Sequence, residues 1–204
     1  MNAPARVPRV LAERAHLPPG RLPLTVVIAP AGFGKTTLVK GWRRQSASTA
    51  YGTFDAFYRT NAKDVGLVLT QCARDLGVAG DVLVEVLGLL PSDGASLGAE
   101  FVARLAAALR GLTEPYVCFL DDLHGLSEEI GRDVGRLIPA VASEQRQFVA
   151  ASRMDPPWPV ERWRVAGFAE IVTAEQLRLT CEEIALLLPP ESAHLAATAH
   201  RVSG

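Results

Sequence analysis

A glycine-rich turn with a lysine, the segment APAGFGKTT at residues 29–37, has the residue types that bind phosphate. Gly32 and Gly34 permit backbone angles that a Cβ would forbid, so successive N–H groups can converge on a phosphate group. Lys35 adds a positive charge at the same place. The preceding apolar run Leu24–Ile28, LTVVI, is typical of a buried parallel strand. A strand, a glycine turn and a lysine in this order predict a cradle for a nucleoside triphosphate.

The turn fits the general pattern G-x-x-x-x-G-K-[ST], known as Walker A, except at its first position, where Ala29 stands in place of glycine. Thr36 supplies the hydroxyl expected on Mg²⁺, and the helix predicted over 36–44 directs its N-terminal dipole at the phosphates. A strand-to-helix turn with an incidental lysine is the structural alternative. The residues expected to contact the nucleotide are Ala29, Pro30, Ala31, Gly32, Phe33, Gly34, Lys35, Thr36 and Thr37.

A second apolar run, YVCFLDD at residues 116–122, ends in two carboxylates and resembles a Walker B strand. A carboxylate at the carboxyl end of a parallel strand points into the crevice where α/β sheets bind ligands. Asp121 is therefore expected to hold Mg²⁺ through water, and Asp122 is expected to face the attacking water. The alternative is an Asp-Asp helix N-cap that follows a core strand.

A third apolar run, QFVAASR at residues 147–153, ends in a cation. Arg153 is expected at the same sheet edge as Asp121 and Gly34, where a positive charge can sense whether a triphosphate or a diphosphate is bound. An ordinary surface arginine is the alternative. His124 follows the two acids closely enough to contact water or phosphate, although a loop or capping histidine fits the sequence equally well.

Apolar residues at spacings of three and four predict helices over 65–76, 81–90, 97–112 and 128–141. Gly80 and the segment 91–94 are expected to separate them. Short β-favouring runs predict further strands over 50–54 and 169–172. Helices that alternate with buried strands predict an α/β fold with a parallel central sheet flanked by helices, the three-layer P-loop architecture.

Two features near the end of the chain concern packing. Thr180 to Glu183 has the pattern of a capping box that begins a helix over 184–188, which Pro189 would stop. Trp158 and Trp163 lie in and after a proline-rich segment. They are expected to pack against the sheet edge, with a partner surface as the alternative.

Composition restricts the class of protein. A chain of 204 residues with 49% hydrophobic content suits one α/β domain with a sizeable core. A net charge of −1 gives no basic face, so we expect no direct binding to nucleic acid. The three cysteines are widely spaced and are expected to be reduced thiols. No apolar run approaches the roughly 18 residues of a membrane span, and a cytoplasmic protein without membrane contact is predicted.

Four segments together resemble successive motifs of one family, the nucleotide-binding domain of MalT-type regulators. They are Ala29–Leu38, Leu120–His124, Ser152–Pro157 and Leu177–Glu183. These regulators are large STAND-class ATPases with a LuxR-type DNA-binding domain. The resemblance implies an AAA-like P-loop fold of the ASCE/STAND type, with ATP and Mg²⁺ as ligands and slow hydrolysis used as a switch.

The resemblance also implies residue roles. It assigns Lys35 and Thr36 to phosphate and Mg²⁺, Asp121 and Asp122 to the Walker B role, and Arg153 to the sensor role. These are the same roles that the three strand ends suggest on chemical grounds.

The family pattern further implies a domain organisation. Residues 1–23 would form a lead-in, in which Val7-Pro8-Arg9 resembles the segment beside the adenine, and Arg9 is counted among the nucleotide contacts. Residues 24–180 would form the core, and 181–204 would begin a helical connection to a winged-helix domain that this chain does not contain. We therefore expect a module of a longer regulator, with a site open on one side, whose partners are ATP or ADP and the regulatory domains of the full-length protein. Self-association is expected in the ATP-bound form.

Other functions fit parts of the pattern. A stand-alone P-loop kinase or phosphotransferase that acts on a small acceptor is the main alternative, and a degenerate NTPase that binds without hydrolysis is a third. The GTPase motif N-K-x-D does not occur in the sequence, which favours ATP over GTP.

Overall fold

Five parallel strands form the central sheet of the computed structural model, which describes residues 22–54, 61–92, 94–188, 192 and 195–198. The strands are β1 (Leu24–Ile28), β2 (Thr49–Thr53), β3 (Tyr116–Asp121), β4 (Arg146–Ser152) and β5 (Ala169–Thr173). Their order across the sheet is β2-β3-β4-β1-β5, and every neighbouring pair is parallel. The strand of the glycine turn, β1, therefore lies beside β4, and β4 separates it from the strand of the two acids, β3.

Helices connect the strands and cover the sheet. They are α1 (Lys35–Gln45), α2 (Ala62–Asp75), α3 (Gly80–Gly88), α4 (Ala99–Arg110), α5 (Glu128–Val141), α6 (Val160–Val165), α7 (Ala174–Leu177) and α8 (Cys181–Leu187), with a 3₁₀ turn at Leu123–Gly125. Since parallel strands need long crossovers, the helices between consecutive strands return the chain to the edge where the next strand begins, and α7 and α8 follow the last strand.

Two separate apolar cores lie on the two faces of the sheet, because successive side chains of a strand point in opposite directions. On one face Val27, Phe119 and Val149 pack against Leu38 and Trp42 of α1. On the other face Val26, Leu120 and Ala150 belong to a larger cluster that includes the apolar sides of α2, α3, α4 and α5. Burial on both faces accounts for the nearly continuous apolar character of β1, β3 and β4. The fold is thus the three-layer α/β architecture that the sequence predicts.

The predicted elements all form, with shifted ends. The strand Leu24–Ile28 and the helix Glu128–Val141 have the predicted bounds, and the other ends differ by up to three residues. Gly80 does not break a helix as predicted, because it is the first residue of α3. The break lies at Gly77, where φ is 101° and the backbone N–H groups of Gly77 and Val78 bond carbonyls of the last turn of α2. The helix at Cys181–Leu187 begins with the predicted capping box, and Pro189 lies outside the described residues.

Trp158 packs against a helix and belongs to the larger core cluster on one face of the sheet, and the expected contact with the sheet edge itself stays a prediction. Its ring lies on the side of α5 formed by Gly131 and Gly135, and its Nε1 donates a hydrogen bond of 2.7 Å to the Gly131 carbonyl. Trp163 lies 6.1 Å from Trp158 and 5.7 Å from Phe168, measured between ring centroids. Gly135 leaves the space that the indole occupies, and Gly131 leaves space for Pro157, so this segment after β4 is joined to the core.

All strands are parallel, so their carboxyl ends lie at one edge of the sheet. At this edge Ile28 pairs with Ser152, and Thr53 pairs with Asp121. The glycine turn, the two acids and Arg153 follow these ends directly in the sequence. None of the helices in the described residues has the length and hydrophobicity that a membrane span requires.

We predict that Gly135→Ala destabilises the protein by about 1–3 kcal/mol, because the added Cβ would overlap the indole ring of Trp158. Gly88→Ala is the matched control, since a Cβ at this helical glycine meets no atom within 4 Å. The control should be neutral, or more stable by about 0.5–1 kcal/mol. Urea unfolding of both variants measures the difference. Equal stability of the two variants would contradict the packing described for Trp158.

Candidate functional site

The glycine turn after β1 has a backbone that requires glycine at two positions. Gly32 has φ of 86° and Gly34 has φ of 78°, both in the left-handed region. A Cβ at Gly32 would meet nothing within 4 Å, so the constraint there is backbone conformation and not space. Gly34 is also the N-cap of α1, and no side chain caps this end of the helix. The first turn of α1 contains no acidic residue, so its N–H groups and positive dipole end suit an anion.

Lys35 is the first residue of α1 and is 7% exposed. Its Nζ donates hydrogen bonds to the carbonyl oxygens of Ala29, at 2.7 Å, and Pro30, at 2.9 Å. Burial lowers the pKa of Lys35, and the charge of Arg153 lowers it further, whereas Asp121 and Asp122 raise it. The ammonium group is thus held inside the loop by its own carbonyls and interacts electrostatically with all three predicted catalytic side chains.

Asp121 is the last residue of β3 and has no exposed surface. Its Oδ2 accepts a hydrogen bond of 3.0 Å from the hydroxyl of Tyr51, and its Oδ1 accepts one of 2.9 Å from the backbone N–H of Asp122. Burial and the Asp121 carboxylate raise the pKa of Tyr51, so the hydroxyl keeps its proton. The buried carboxylate therefore has one donor on each oxygen, which offsets part of the cost of its removal from water.

Asp122, which follows Asp121 directly, has a left-handed backbone. It has φ of 59° and is the one non-glycine residue with positive φ in the described part of the chain. Residues other than glycine adopt this conformation infrequently, although aspartate does so more readily than most. Its Oδ2 accepts a hydrogen bond of 3.4 Å from the Thr53 hydroxyl, and its Oδ1 lies 3.8 Å from Nδ1 of His124. The two adjacent carboxylates therefore have different side-chain donors, Tyr51 for Asp121 and Thr53 for Asp122.

His124 and Arg153 complete the group. Both ring nitrogens of His124 are buried without a hydrogen-bond partner among the described residues. Burial lowers the pKa of His124, Arg153 and Lys35 lower it as well, and the two aspartates raise it. Arg153 follows β4 directly and is exposed. Its charge lowers the pKa of both Lys35 and His124, as expected for a cation at the same sheet edge.

The structure brings together most of the residues that the sequence proposes as a site. Those at the carboxyl edge of the sheet are Ala29, Pro30, Ala31, Gly32, Phe33, Gly34, Lys35, Thr36, Thr37, Asp121, Asp122 and Arg153. Thr36 and Thr37 are half-buried in the first turn of α1, and Arg9 lies outside the described residues. Sequence reasoning missed Tyr51 and Thr53. They could have been found only from the pairing of β2 with β3. Thr53 pairs with Asp121, and Tyr51, two residues before Thr53, lies on the same face of the sheet.

The residues present fit a nucleoside triphosphate with Mg²⁺. A left-handed glycine loop and an uncapped helix N-terminus offer N–H groups to phosphate. A buried lysine amine adds positive charge, and a fully buried carboxylate with a threonine hydroxyl supplies the oxygen ligands that Mg²⁺ prefers. The two unpartnered nitrogens of His124 offer further polar contacts at the same edge.

Comparison with known sequences gives one family and several relatives. A model of the AAA ATPase domain matches residues 9–151, more than half of the chain. The HTH-type transcriptional regulator MalT of Serratia proteamaculans is 26% identical over 175 residues, which are 86% of this chain and 19% of that protein. The serine/threonine-protein kinase PknK of Mycobacterium tuberculosis is 25% identical over 174 residues, which are 83% of this chain and 15% of that protein. The chain thus spans less than a fifth of the length of these relatives.

Two solved structures illustrate the similarity of the fold. Cdc6p from Pyrobaculum aerophilum has a TM-score of 0.50 and 20% identity, and the match covers 93% of this chain and 48% of that one. A Walker-type ATPase of Pyrococcus abyssi has a TM-score of 0.54 and 11% identity, and the match covers 94% of this chain and 61% of that one. At these identities the likeness concerns the fold alone. With the match to residues 9–151 and the loop, acids and cation at one sheet edge, the chain belongs to the AAA ATPase domain family.

Proposed function

We propose that this chain is an ATP-binding, slowly hydrolysing switch module of a signal-responsive transcriptional regulator. The observation that carries the proposal is the placement of two buried charged groups beside a left-handed glycine loop: Lys35, whose amine is held by carbonyls of that loop, and the fully buried Asp121. Removal of a cation and a carboxylate from water costs free energy, and a ligand that contacts both groups would offset that cost. A magnesium nucleotide uses both, since its phosphates attract the lysine and its metal attracts the carboxylate.

Each residue of the loop would have a defined part in binding. Lys35 would exchange the carbonyls of Ala29 and Pro30 for phosphate oxygens, a change that keeps its amine hydrogen-bonded throughout. The first N–H groups of α1 would bind the phosphates, and Thr36 with Asp121 would hold Mg²⁺. When bound, Mg²⁺ would neutralise the negative charge that develops on the transferred phosphate.

Hydrolysis would depend on Asp122, the acid that is not assigned to the metal. Asp122 has a left-handed backbone, and its Oδ2 accepts a hydrogen bond from the Thr53 hydroxyl. A carboxylate in that place can orient a water molecule for attack on the γ-phosphate. Arg153, exposed beside Lys35 and His124, would respond to the presence of the γ-phosphate. Hydrolysis would remove that contact, and the change at Arg153 would transmit the nucleotide state to the rest of the protein.

The regulatory part of the proposal rests on the relatives and on the four motifs. MalT is named a transcriptional regulator, and this chain resembles less than a fifth of it. The output would therefore belong to other domains of a longer, cytoplasmic protein, and the ATP-bound form would be the one that self-associates. PknK is named a kinase, which keeps open the alternative that a module of this kind transfers phosphate to a small acceptor. Transfer of labelled phosphate to any acceptor other than water would favour that alternative.

Lys35→Ala should weaken ATP binding by about 10- to 100-fold, because it removes the charge-assisted hydrogen bonds to phosphate. Lys40→Ala is the matched control, since Lys40 is an exposed lysine on the same helix. Calorimetric titration with ATP, ADP and GTP in the presence of Mg²⁺ gives the affinities, and circular dichroism verifies that both variants fold. Tight ATP binding by Lys35→Ala would overturn the assignment of the loop.

Arg153→Ala is expected to reduce the preference for ATP over ADP by about threefold to tenfold, because one cation next to the γ-phosphate is lost. Arg104→Ala serves as the control, since Arg104 forms an exposed ion pair with Glu85 on a different element. The readout is the ratio of the two dissociation constants. A ratio that stays at the wild-type value would remove Arg153 from the sensor role.

Asp122→Asn should lower the rate of ATP hydrolysis by about 100-fold and leave ATP affinity within a factor of about three. The amide keeps the shape of the side chain and can no longer accept a proton. Phosphate release in single-turnover experiments measures the rate, and calorimetry measures the affinity of the same sample. An unchanged rate would show that another group orients the water.

A further inference from the structure

The carboxylate of Asp121 depends on one side chain from a different strand. Its Oδ1 bonds the backbone N–H of the next residue, an interaction that the local chain provides by itself. Its Oδ2 accepts a hydrogen bond from the hydroxyl of Tyr51, 70 residues away in sequence. The χ2 torsion of an aspartate has a broad energy minimum, so the plane of the carboxylate can rotate easily. A hydrogen-bond donor on each oxygen restricts this rotation far more than a single donor does.

Strand pairing places the Tyr51 hydroxyl at this carboxylate. Tyr51 pairs with Phe119, and Thr53 pairs with Asp121, so the tyrosine side chain reaches diagonally along the sheet face to the Asp121 carboxylate. Tyr51 is half-buried and packs against the apolar cluster that includes Phe119. The packing of the ring thus fixes the position of the hydroxyl that donates the hydrogen bond to the carboxylate.

A cation on the helix of the phosphate loop lies over the ring of Tyr51. The guanidinium carbon of Arg43, near the end of α1, lies 5.4 Å from the centroid of the Tyr51 ring. A cation at this distance from an aromatic face is attracted to it. Arg43, Tyr51 and Asp121 therefore form a continuous contact from the helix that begins at Lys35, through β2, to the end of β3.

We infer that Tyr51 is a positioning residue that fixes the orientation of Asp121 and thereby sets the affinity of the site for Mg²⁺. Partners of this kind, which bond a ligand group and do not touch the metal, change metal affinity when they are removed. The phenol is neutral and donates one proton, so it orients the carboxylate without cancelling its charge. This inference rests on the proposed binding of a magnesium nucleotide.

Tyr51→Phe is the direct test, because it removes one oxygen and keeps the ring, its packing and its contact with Arg43. ATP affinity is measured calorimetrically over a series of Mg²⁺ concentrations and again in excess EDTA. The Mg²⁺ concentration for half-maximal enhancement of binding should rise about tenfold. Affinity for ATP in EDTA should stay at the wild-type value, which a merely structural defect would not allow.

Two further variants locate the effect. Tyr116→Phe removes the hydroxyl of another buried tyrosine, which bonds the carbonyl of Leu109, and should leave the Mg²⁺ dependence unchanged. In an Asp121→Asn background, Tyr51→Phe should produce no additional shift, because the two groups act as one unit. Arg43→Gln keeps the hydroxyl and frees the ring, and should raise the Mg²⁺ requirement about two- to threefold.

The outcomes separate this inference from the proposed function. A wild-type Mg²⁺ dependence in Tyr51→Phe, or an equal loss of affinity with and without the metal, would overturn the role of Tyr51. If Tyr51→Phe does not fold, the test is made with Arg43→Gln. An unchanged Mg²⁺ requirement in that variant would also overturn the positioning role of Tyr51. If the wild-type chain binds no ATP at any Mg²⁺ concentration, the proposed function fails in the first titration, before any variant is compared.

Discussion

The parallel pairing of β3, β4 and β1 is the constraint on which the rest of this structure depends. It places the ends of three strands side by side, although long crossovers separate them in sequence. The glycine turn follows one end, two aspartates another, and an arginine the third. Because sheets of this kind are buried on both faces, their carboxyl edge is where polar side chains can gather. The site is thus a direct product of strand direction and strand order.

Charge at this edge is balanced by short-range contacts, and each of them has a local cause. Lys35 stays inside the loop because two carbonyls accept its hydrogen bonds. Asp121 is fully buried with a donor on each carboxylate oxygen. Asp122 has a left-handed backbone, which is uncommon among non-glycine residues, and its carboxylate accepts a hydrogen bond from Thr53. Strain and burial of this kind concentrate where a protein binds ligands, and the rest of the fold has to offset their cost.

The apolar layers provide that stability and also fix the positions of the polar groups. Leu38 and Trp42 of α1 pack on the face that carries Phe119. The helix of the phosphate loop and the strand of the acids therefore cannot move independently. On the opposite side, the indole of Trp158 packs where Gly135 has no side chain and donates a hydrogen bond to the Gly131 carbonyl, so the segment that follows Arg153 is joined to α5. Packing on both faces of the sheet thus fixes the positions of the loop, the acids and the cation relative to one another.

The sequence by itself determined the elements and their chemistry, because apolar periodicity and glycine placement are local properties. The strand at Leu24–Ile28 and the helix at Glu128–Val141 have the predicted bounds, and the loop, acids and Arg153 could be named from their types and spacing. Only the tertiary structure decided the contacts between distant segments. The hydrogen bond from Tyr51 to Asp121 depends on the register of β2 against β3, which no short segment encodes. The backbone of Asp122 and the packing of Trp158 against two glycines are decided in the same way, by neighbours that the linear sequence does not place together.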